Sequence, residues 1–282
     1  MKRKMISLLC LYSSLSFAVP FNIAYVEVND NKLVTAGCFI NQNDKPFFNI
    51  VGIFAANING NDPNAPYIYF NSQVAKLLNQ TNQVSSLQAQ GIKVVLTLLG
   101  NHENAGWSCM KNEKAIRNFA NDIVNLVNQY KLDGIDIDDE YSSCLANDTS
   151  LIRISNAIKN HPKFKGKILS KALFDDQRYF TASYKGMKLA DFLDFGWEMS
   201  YGGNPDYRLP PYVKYGMNKP SLALGISSNS GSQAARSATQ YVMDKSFGGV
   251  MMYNVNYNSF GILKEIAQTE GQILKLTTDC EM

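Results

Sequence analysis

Histidine is scarce in this chain: only two of its 282 residues are histidines, and no two of its five cysteines are spaced as CxxC. A structural zinc site usually needs such a pair with further histidine or cysteine ligands. No GxGxxG or GxxxxGKS/T motif follows any early apolar segment, so the usual nucleotide-binding turns are missing as well. The sequence therefore disfavours a zinc protein, gives no indication of a nucleotide site, and predicts neither a metal nor a cofactor.

Long apolar runs are also few, and the one at the N-terminus is typical of a secretory signal peptide. Basic residues at positions 2–4 precede an apolar run over residues 5–17, which is too short to span a bilayer. Ser16 and Ala18 then supply the small residues expected at the −3 and −1 positions of a cleavage site. We predict a signal peptide over residues 1–18, cleaved after Ala18, and a secreted protein without a membrane anchor.

An excess of positive charge is missing once this leader is set aside. The full chain has 27 basic and 24 acidic residues, and three of the basic ones lie in the leader, which leaves 24 of each sign. No basic patch indicates nucleic-acid binding. No linker rich in proline or glycine divides the rest, so residues 19–282 are predicted to form one domain. We expect it to be a monomer.

Apolar segments rich in β-branched residues alternate with amphipathic ones along the whole chain. We predict strands over residues 21–28, 47–58, 92–100, 132–138, 167–174, 192–201, 220–227 and 247–254. We predict helices over residues 71–90, 112–130, 149–160, 231–244 and 258–268. Two stretches fit the alternation poorly: residues 29–46 are typical of a hairpin or loop, and residues 202–219 are irregular.

This alternation is the pattern of an α/β protein with a parallel sheet. Eight such units in a chain of this length favour a single, somewhat irregular (β/α)8 TIM barrel, with its active site at the C-terminal mouth of the strands. The alternative is an open, doubly wound sheet. That alternative lacks the phosphate-binding turn that would support it.

The fourth strand is crowded with negative charge. The sequence LDGIDIDDE, residues 132–140, places five acidic side chains between Asp133 and Glu140. Because alternate residues of a strand share one face, Asp136, Asp138 and Glu140 line up, and the intervening isoleucines face the covering helices. Stacked, partly buried carboxyls raise one another's pKa. We therefore expect this row to keep Glu140 protonated as a general acid.

Three other interpretations of the acidic segment are weaker. An EF-hand loop would need glycine at its sixth position, where this chain has Tyr141. A DxD metal site of a glycosyltransferase, formed by Asp136 and Asp138, would need a nucleotide-sugar fold, which the rest of the chain does not indicate. A solvated acidic turn is at odds with the flanking isoleucines.

The segment DGIDIDDE, residues 133–140, resembles the DxxDxDxE signature of glycoside hydrolase family 18. Within that family the chain is most similar to endo-β-N-acetylglucosaminidases of the Endo H type. The further stretches that carry the resemblance are AYVEVN (24–29), FAANIN (54–59), QGIKVVLTLLGNH (90–102), AGW (105–107), Trp197 with Tyr201 and Gly202, and MMYN (251–254).

The resemblance implies a substrate-assisted, retaining glycosidase that needs no enzyme nucleophile. Glu140 would protonate the glycosidic oxygen and then activate water. Asp138 would orient the substrate's 2-acetamido group, Asp136 would modulate the charge of Asp138, and Tyr201 would hydrogen-bond the acetamido carbonyl. The partners implied are N-linked glycans of glycoproteins, cleaved between the two core N-acetylglucosamines.

Further residues at predicted strand ends are candidates for substrate binding. Trp197 and Tyr253 are aromatic candidates for the floor and wall of a sugar subsite, with packing in the barrel core as the alternative. The other candidates on the same mouth are Phe54, Asn101, His102 and Asn254. A purely structural histidine is an equal alternative for His102.

Four cysteines remain after the leader, and in an oxidising compartment they allow three pairings. Cys109 follows the third predicted strand and Cys144 the fourth, so adjacent loops of the barrel could join them. Cys38–Cys280 is then the remaining pair.

Some positions depart from the family pattern. Thr97 stands where a serine is expected, LFDDQRYF (173–180) matches poorly, and WEMSY (197–201) differs between its tryptophan and its tyrosine. Two other functions stay open, a chitinase of the same fold and an inactive glycan-binding lectin. The presence of Glu140 disfavours the lectin.

Overall fold

Eight parallel strands close into a barrel in the computed structural model, which describes residues 20–278 and residue 280. The barrel strands are β1 (Phe21–Glu27), β2 (Ile50–Asn59), β3 (Lys93–Gly100), β4 (Gly134–Ile137), β5 (Ile168–Leu173), β6 (Phe195–Glu198), β7 (Leu222–Ser227) and β8 (Gly249–Tyr253). Each strand pairs in parallel with its neighbours, and β1 pairs with both β2 and β8. The predicted TIM barrel is therefore confirmed.

Alternation of side chains along the strands gives the barrel two cores. On β1, Ala24 and Val26 point outward into the main core between strands and helices, whereas Ile23 and Tyr25 point into the barrel. The inner core is small and contains Ile23, Tyr25, Ile50, Val95, Ala172, Trp197, Ala223 and Met251. Because both faces of each strand are buried, the strands appear in the sequence as continuous apolar runs.

Eight helices accompany the strands in the described part of the chain. They are α1 (Ser72–Gln80), α2 (Gln83–Ala89), α3 (Glu113–Gln129), α4 (Ser150–Lys159), α5 (Gln177–Thr181), α6 (Pro210–Lys214), α7 (Gly231–Lys245) and α8 (Phe260–Thr269). The best defined is α3, where the Asn112 side chain caps the N-terminus by accepting from the Lys114 N–H, and Glu113 suits the first turn. Its apolar face, with Ile116 and Phe119, is buried.

The predicted helix over residues 71–90 is wrong in one respect, because the structure divides it into α1 and α2. Thr81 has an extended backbone, with φ −130° and ψ 163°. Its hydroxyl donates to the carbonyl of Leu77 at 2.8 Å, so it occupies an acceptor at the end of α1. Such local bonds from threonine compete with helix continuation.

The two poorly fitting stretches contain only short elements. A 3-10 helix, Leu33–Cys38, and a two-residue strand, Phe39–Ile40, lie where a hairpin or loop was predicted. The irregular segment 202–219 holds α6 between short 3-10 helices. The predictions missed α5 and the short strand Tyr67–Tyr69, which pairs antiparallel with the end of β2.

Both expected disulfides are present. Cys109 and Cys144 have their Cα atoms 5.7 Å apart, and they join the loops that follow β3 and β4. Cys38 and Cys280 are 5.4 Å apart and connect residues separated by 242 positions. The signal peptide predicted over residues 1–18 lies outside the described residues. Within residues 20–278 and at 280, no helix has both the length and the apolar character to cross a membrane.

A buried acid gives the fold a predicted pH dependence of stability. Glu270 follows α8 and accepts from the Asn22 side chain at 3.1 Å and from Gln272 at 2.8 Å. Burial raises the pKa of Glu270 from 4.5 to about 7. The folded state therefore holds a proton that the unfolded state releases between about pH 4.5 and 7, so stability falls as the pH rises through that window.

We expect the wild-type protein to lose up to about 3 kcal/mol of unfolding free energy between pH 4 and pH 8 through this group. Glu270→Gln removes the proton uptake, so its stability should depend less on pH and should exceed that of wild type at pH 8. Urea unfolding at several pH values measures the effect, with Glu265→Gln on α8 as the control. Parallel pH curves for wild type and Glu270→Gln would contradict this assignment.

Candidate active site

The acidic strand lies as its alternation predicts. Ile135 and Ile137 pack in the outer core, and Asp136 points into the barrel with no exposed surface. Three hydroxyls donate to its carboxylate: Tyr25 at 2.6 Å, Thr97 at 3.0 Å and Ser170 at 2.7 Å. Burial raises the pKa of Asp136 to about 6, although these hydrogen bonds oppose the rise. Thr97 thus supplies a hydroxyl where the family resemblance led us to expect serine.

Asp138 and Glu140 continue the row toward the mouth. Asp138 is 1% exposed, and burial, followed by the charge of Glu140, raises the pKa of its carboxyl well above the usual value. Its Oδ1 atom is buried and has no hydrogen-bond partner among the described residues. Glu140 is half-buried, and burial raises the pKa of its carboxyl too. Burial thus shifts the pKa of all three carboxyls upward, which is the direction that a general acid requires.

A pocket of about 310 Å³ opens above this row at the C-terminal ends of the strands. Its walls are mainly aromatic, and Asp138 and Glu140 reach into it. The aromatic lining residues are Tyr25, Phe54, Tyr141, Phe174, Tyr201 and Tyr253. Larger cavities exist elsewhere on the surface of the described part of the chain, but Asp136, Asp138 and Glu140 do not line them. The chemistry of the carboxyls, and not cavity size, identifies this pocket as the candidate active site.

Two of the predicted aromatic residues shape one side of the pocket. The rings of Tyr201 and Tyr253 lie 5.9 Å apart, and that of Tyr253 lies 5.2 Å from Phe54. The Tyr253 hydroxyl donates to Glu27 at 3.2 Å. Burial, followed by the charge of Asp138, raises the pKa of Tyr201, so its hydroxyl keeps its proton and can donate a hydrogen bond.

Trp197 does not reach the pocket. Its side chain is fully buried in the inner core, where its indole Nε1 donates to the Tyr25 hydroxyl at 2.6 Å. Tyr25 in turn donates to Asp136. The structure therefore favours the alternative role of Trp197, packing in the barrel core, over a floor for the sugar, and it connects the indole to the acidic row through one tyrosine.

Three other candidates lie at the mouth without lining the pocket. Asn101 donates through its side chain to the Asn59 side chain at 3.1 Å. His102 is exposed, and its ring lies 5.3 Å from that of Tyr141, which does line the pocket. Asn254 accepts a hydrogen bond from the backbone at the end of β1 at 3.0 Å. These contacts fix the loops around the pocket.

The two acidic residues of opposite parity hold the ends of β4. Asp133 accepts from the Val94 N–H at 2.9 Å and forms an ion pair with Lys93 at 3.1 Å. Asp139 accepts from the Ser108 N–H at 3.1 Å, next to the Cys109–Cys144 disulfide. Both residues therefore serve strand-end and loop geometry and lie outside the inward-facing row.

Sequence reasoning missed a buried cation behind the row. Lys171, in the middle of β5, is 1% exposed and forms an ion pair with Asp176 at 2.6 Å. The signal was available, since KILSKALF (167–174) places a lysine inside an otherwise apolar strand. As for metals, the residues that the structure describes contain no group of three or more histidine, cysteine, aspartate or glutamate side chains that could hold an ion.

A closed parallel barrel with a DxDxE row that leads to a pocket at its mouth is typical of glycoside hydrolases. The family model of glycosyl hydrolases family 18 matches residues 21–212, and the chain belongs to this family. It is 34% identical over 244 residues to the endo-beta-N-acetylglucosaminidase of Flavobacterium sp. (strain SK1022), a match that covers 84% of this chain and 75% of the relative. It is 29% identical over 247 residues to endo-beta-N-acetylglucosaminidase F1 of Elizabethkingia meningoseptica, covering 83% and 71%.

Solved structures share the fold. EndoBT-3987 of Bacteroides thetaiotamicron, solved with a Man9GlcNAc2Asn substrate, superposes with a TM-score of 0.75 at 22% identity, over 95% of this chain and 69% of that one. The same protein solved with its Man5GlcNAc product gives the same score, and this chain spans 64% of its length. A chitinase of Bacteroides thetaiotaomicron superposes with a TM-score of 0.63 at 13% identity, over 90% of this chain and 97% of that one.

Proposed function

We propose that this enzyme is an endo-β-N-acetylglucosaminidase that hydrolyses the β-1,4 bond between the two core N-acetylglucosamines of N-linked glycans. One sugar would then remain on the asparagine of the glycoprotein. The names of the curated relatives support this assignment, as does the glycan bound to the structural neighbour. The observation that carries it is the buried, unpartnered Oδ1 of Asp138 beside Glu140, since it suits the N–H of a substrate acetamido group.

The reaction we propose is substrate-assisted and retaining, as is known for this family. The acetamido carbonyl oxygen attacks the anomeric carbon and forms a bond to it. The glycosidic bond breaks as Glu140 gives its proton to the leaving oxygen. Glu140, now a carboxylate, takes a proton from water, and the water oxygen opens the oxazolinium ring at the same carbon. Two inversions at that carbon return the original β configuration.

The groups around the pocket suit the charges of this reaction. Asp138 would accept from the acetamido N–H and stabilise the positive charge that develops on the ring. The protonated Tyr201 hydroxyl would donate to the acetamido oxygen and hold it for attack. Asp136, held by three hydroxyls, would modulate the charge of Asp138 next to it. Preorganised groups of this kind stabilise a transition state effectively.

We also propose that the chain is exported and acts as a monomer. The basic and apolar pattern of residues 1–18 supports export, and two disulfides are typical of an oxidising compartment. N-terminal sequencing of the secreted product tests cleavage after Ala18, and light scattering tests the monomer.

A comparison of substrates tests the proposed activity. We expect the full-length precursor, expressed with export and purified, to release the glycan from a high-mannose glycoprotein and to leave one N-acetylhexosamine per site, seen as a gel shift and an exact mass. We expect little turnover of a chitin oligomer. Proton NMR should show the β anomer first. Turnover of the chitin oligomer alone would identify a chitinase instead, and binding without turnover a lectin.

A further inference from the structure

A buried ion pair lies behind the acidic strand, outside the barrel. Lys171 is opposite Ile137 in the β4–β5 register, so its side chain shares the outer side of the sheet with that isoleucine and points away from the pocket. Its ammonium contacts Asp176 at 2.6 Å and donates to the Ala172 carbonyl at 2.8 Å. Burial alone would lower the pKa of Lys171, but Asp176 and Asp139 outweigh it, so the pKa is raised and the ammonium stays charged.

Polar groups from several elements face the pair. From the loop after β5, Asp176 accepts the Tyr212 hydroxyl of α6 at 2.6 Å. Asp139, just after β4, lies on the same outer side of the sheet as Ile137. Its charge raises the pKa of Lys171, and the charge of Asp138 does so more weakly. Tyr179 of α5 lies against Asp139.

Two further groups complete the surroundings. At the end of β6, Glu198 is paired with Arg208, and both side chains are buried. The charge of Glu198 reaches Tyr212 and Tyr201. Lys171, and not Arg208, is among the groups that lower the pKa of the carboxyls on the acidic strand.

Stability alone does not account for a lysine here. A buried ion pair contributes no more to stability than well-packed apolar side chains of the same volume, because removing two charges from water is costly. The neighbouring strand, however, gains from a cation. Burial raises the pKa of Asp136, Asp138, Asp139 and Glu140, and Lys171 lowers the pKa of every one of them. Four carboxyls in five consecutive residues thus share one buried counter-charge.

We propose that Lys171 is a positioning residue for the reaction: its ammonium, held against Asp176 behind β4, balances the charge of the acidic strand and sets the upper pH limit at which Glu140 still carries its proton. This proposal rests on the proposed function of Glu140 as the acid. Lys171 touches no reacting atom, and Asp176 acts only by holding and partly neutralising it. The working pH range of the enzyme is then set from outside the barrel.

Two single substitutions should shift the pH profile in opposite directions. Lys171→Met removes the cation, so the alkaline limb of the kcat/KM profile should move up by about half a unit to one unit. Asp176→Asn keeps the Tyr212 acceptor and removes one balancing charge, while Asp139 still faces the ammonium and favours its charged form, so the limb should move down. The double variant should fall between the two. Damage to the fold would lower activity without producing opposite shifts, and limbs that stay in place or move the same way overturn the proposal.

The matched control is the ion pair of Lys159 with Asp194, at 2.7 Å, which lies at the start of β6. Lys159→Met and Asp194→Asn should leave the alkaline limb where wild type has it. A second measurement does not depend on turnover: carbon-13 titration of the Glu140 carboxyl in wild type, Asp176→Asn and the double variant should show the same order of shifts. An unchanged titration overturns the proposal even if the glycan substrate is wrong, and a wild type that cleaves no glycan contradicts only the proposed function.

Discussion

Replacement of Glu140 by glutamine is expected to lower kcat/KM for glycan release by about 10³-fold, within the range that general acid–base catalysis contributes. Glutamine keeps the size of the side chain but has no proton to give to the leaving oxygen. Glu140 is the residue of the acidic row that is half-buried at the mouth, and burial raises the pKa of its carboxyl, so wild type holds that proton to a higher pH than an exposed glutamate would. Chromatography of released glycan measures the loss.

The leaving group supplies the sharpest control for this prediction. An aryl glycoside leaves without much help from an acid, so Glu140→Gln should lose far less of its rate of leaving-group release on an aryl chitobioside than on a glycoprotein. Asp133→Asn removes a carboxylate from the other end of the same strand, and its kcat/KM should stay near wild type. If Glu140→Gln loses the same factor on both substrates, Glu140 acts in some other way than as the acid.

The burial of Glu140 also predicts how enzyme activity should change with pH. Because the protonated form of Glu140 is the active one, activity should be present below its raised pKa and should fall as the pH rises through it. The glutamine variant should lack this alkaline limb. A limb that persists in Glu140→Gln would have to come from another group.

The barrel was predictable because its strands are buried on both faces. Segments such as KVVLTLLG, which forms β3, have no polar face, and helical segments separate them at regular intervals. The row on β4 was predictable for a different reason. Parity alone puts Asp136 and Asp138 on the opposite side of the strand from Ile135 and Ile137.

The sequence does not predict how far along the barrel axis an inward-facing side chain lies, because the alternation of a strand fixes only the side of the sheet. Trp197 has the right parity for the interior, but it lies in a packed inner layer and bonds Tyr25 instead of facing the pocket. Tyr141 and Phe174 line the pocket from loops beyond the strands, where no periodicity applies. Tyr25 itself appeared as an ordinary strand residue, although its hydroxyl holds Asp136.

The break between α1 and α2 and the pair of Lys171 with Asp176 share a cause. Each depends on a single contact that the apolar pattern does not record: a hydroxyl on a carbonyl at Thr81, and a carboxylate five residues beyond the lysine. A lysine in an apolar strand does indicate that a partner must exist, because an unpaired buried charge is costly. It does not indicate which loop supplies that partner.

Asp138→Asn should lower kcat by about 10²- to 10³-fold and change KM much less, because its carboxylate interacts chiefly with charge that develops in the transition state. Asp138 is buried and its Oδ1 is unpartnered among the described residues, so the amide fits in the same space but brings no negative charge. Steady-state kinetics on a fluorescent N-glycan measure both parameters. A large rise in KM with unchanged kcat would assign Asp138 to substrate binding.

Combining the Asp138→Asn variant with a substrate that lacks the 2-acetamido group tests which part of the substrate Asp138 contacts. A glycan whose reacting sugar carries a 2-hydroxyl in place of the 2-acetamido group should lose most of its turnover by wild type, since it cannot form the oxazolinium ring. If Asp138 acts through the acetamido group, Asp138→Asn should cost little more on that substrate, and the two losses should be far from multiplicative. Fully multiplicative losses would falsify the substrate-assisted role. They would mean that the Asp138 carboxylate does not act on the acetamido group. Its partner would then be another group that lines the pocket, Tyr201 or Glu140.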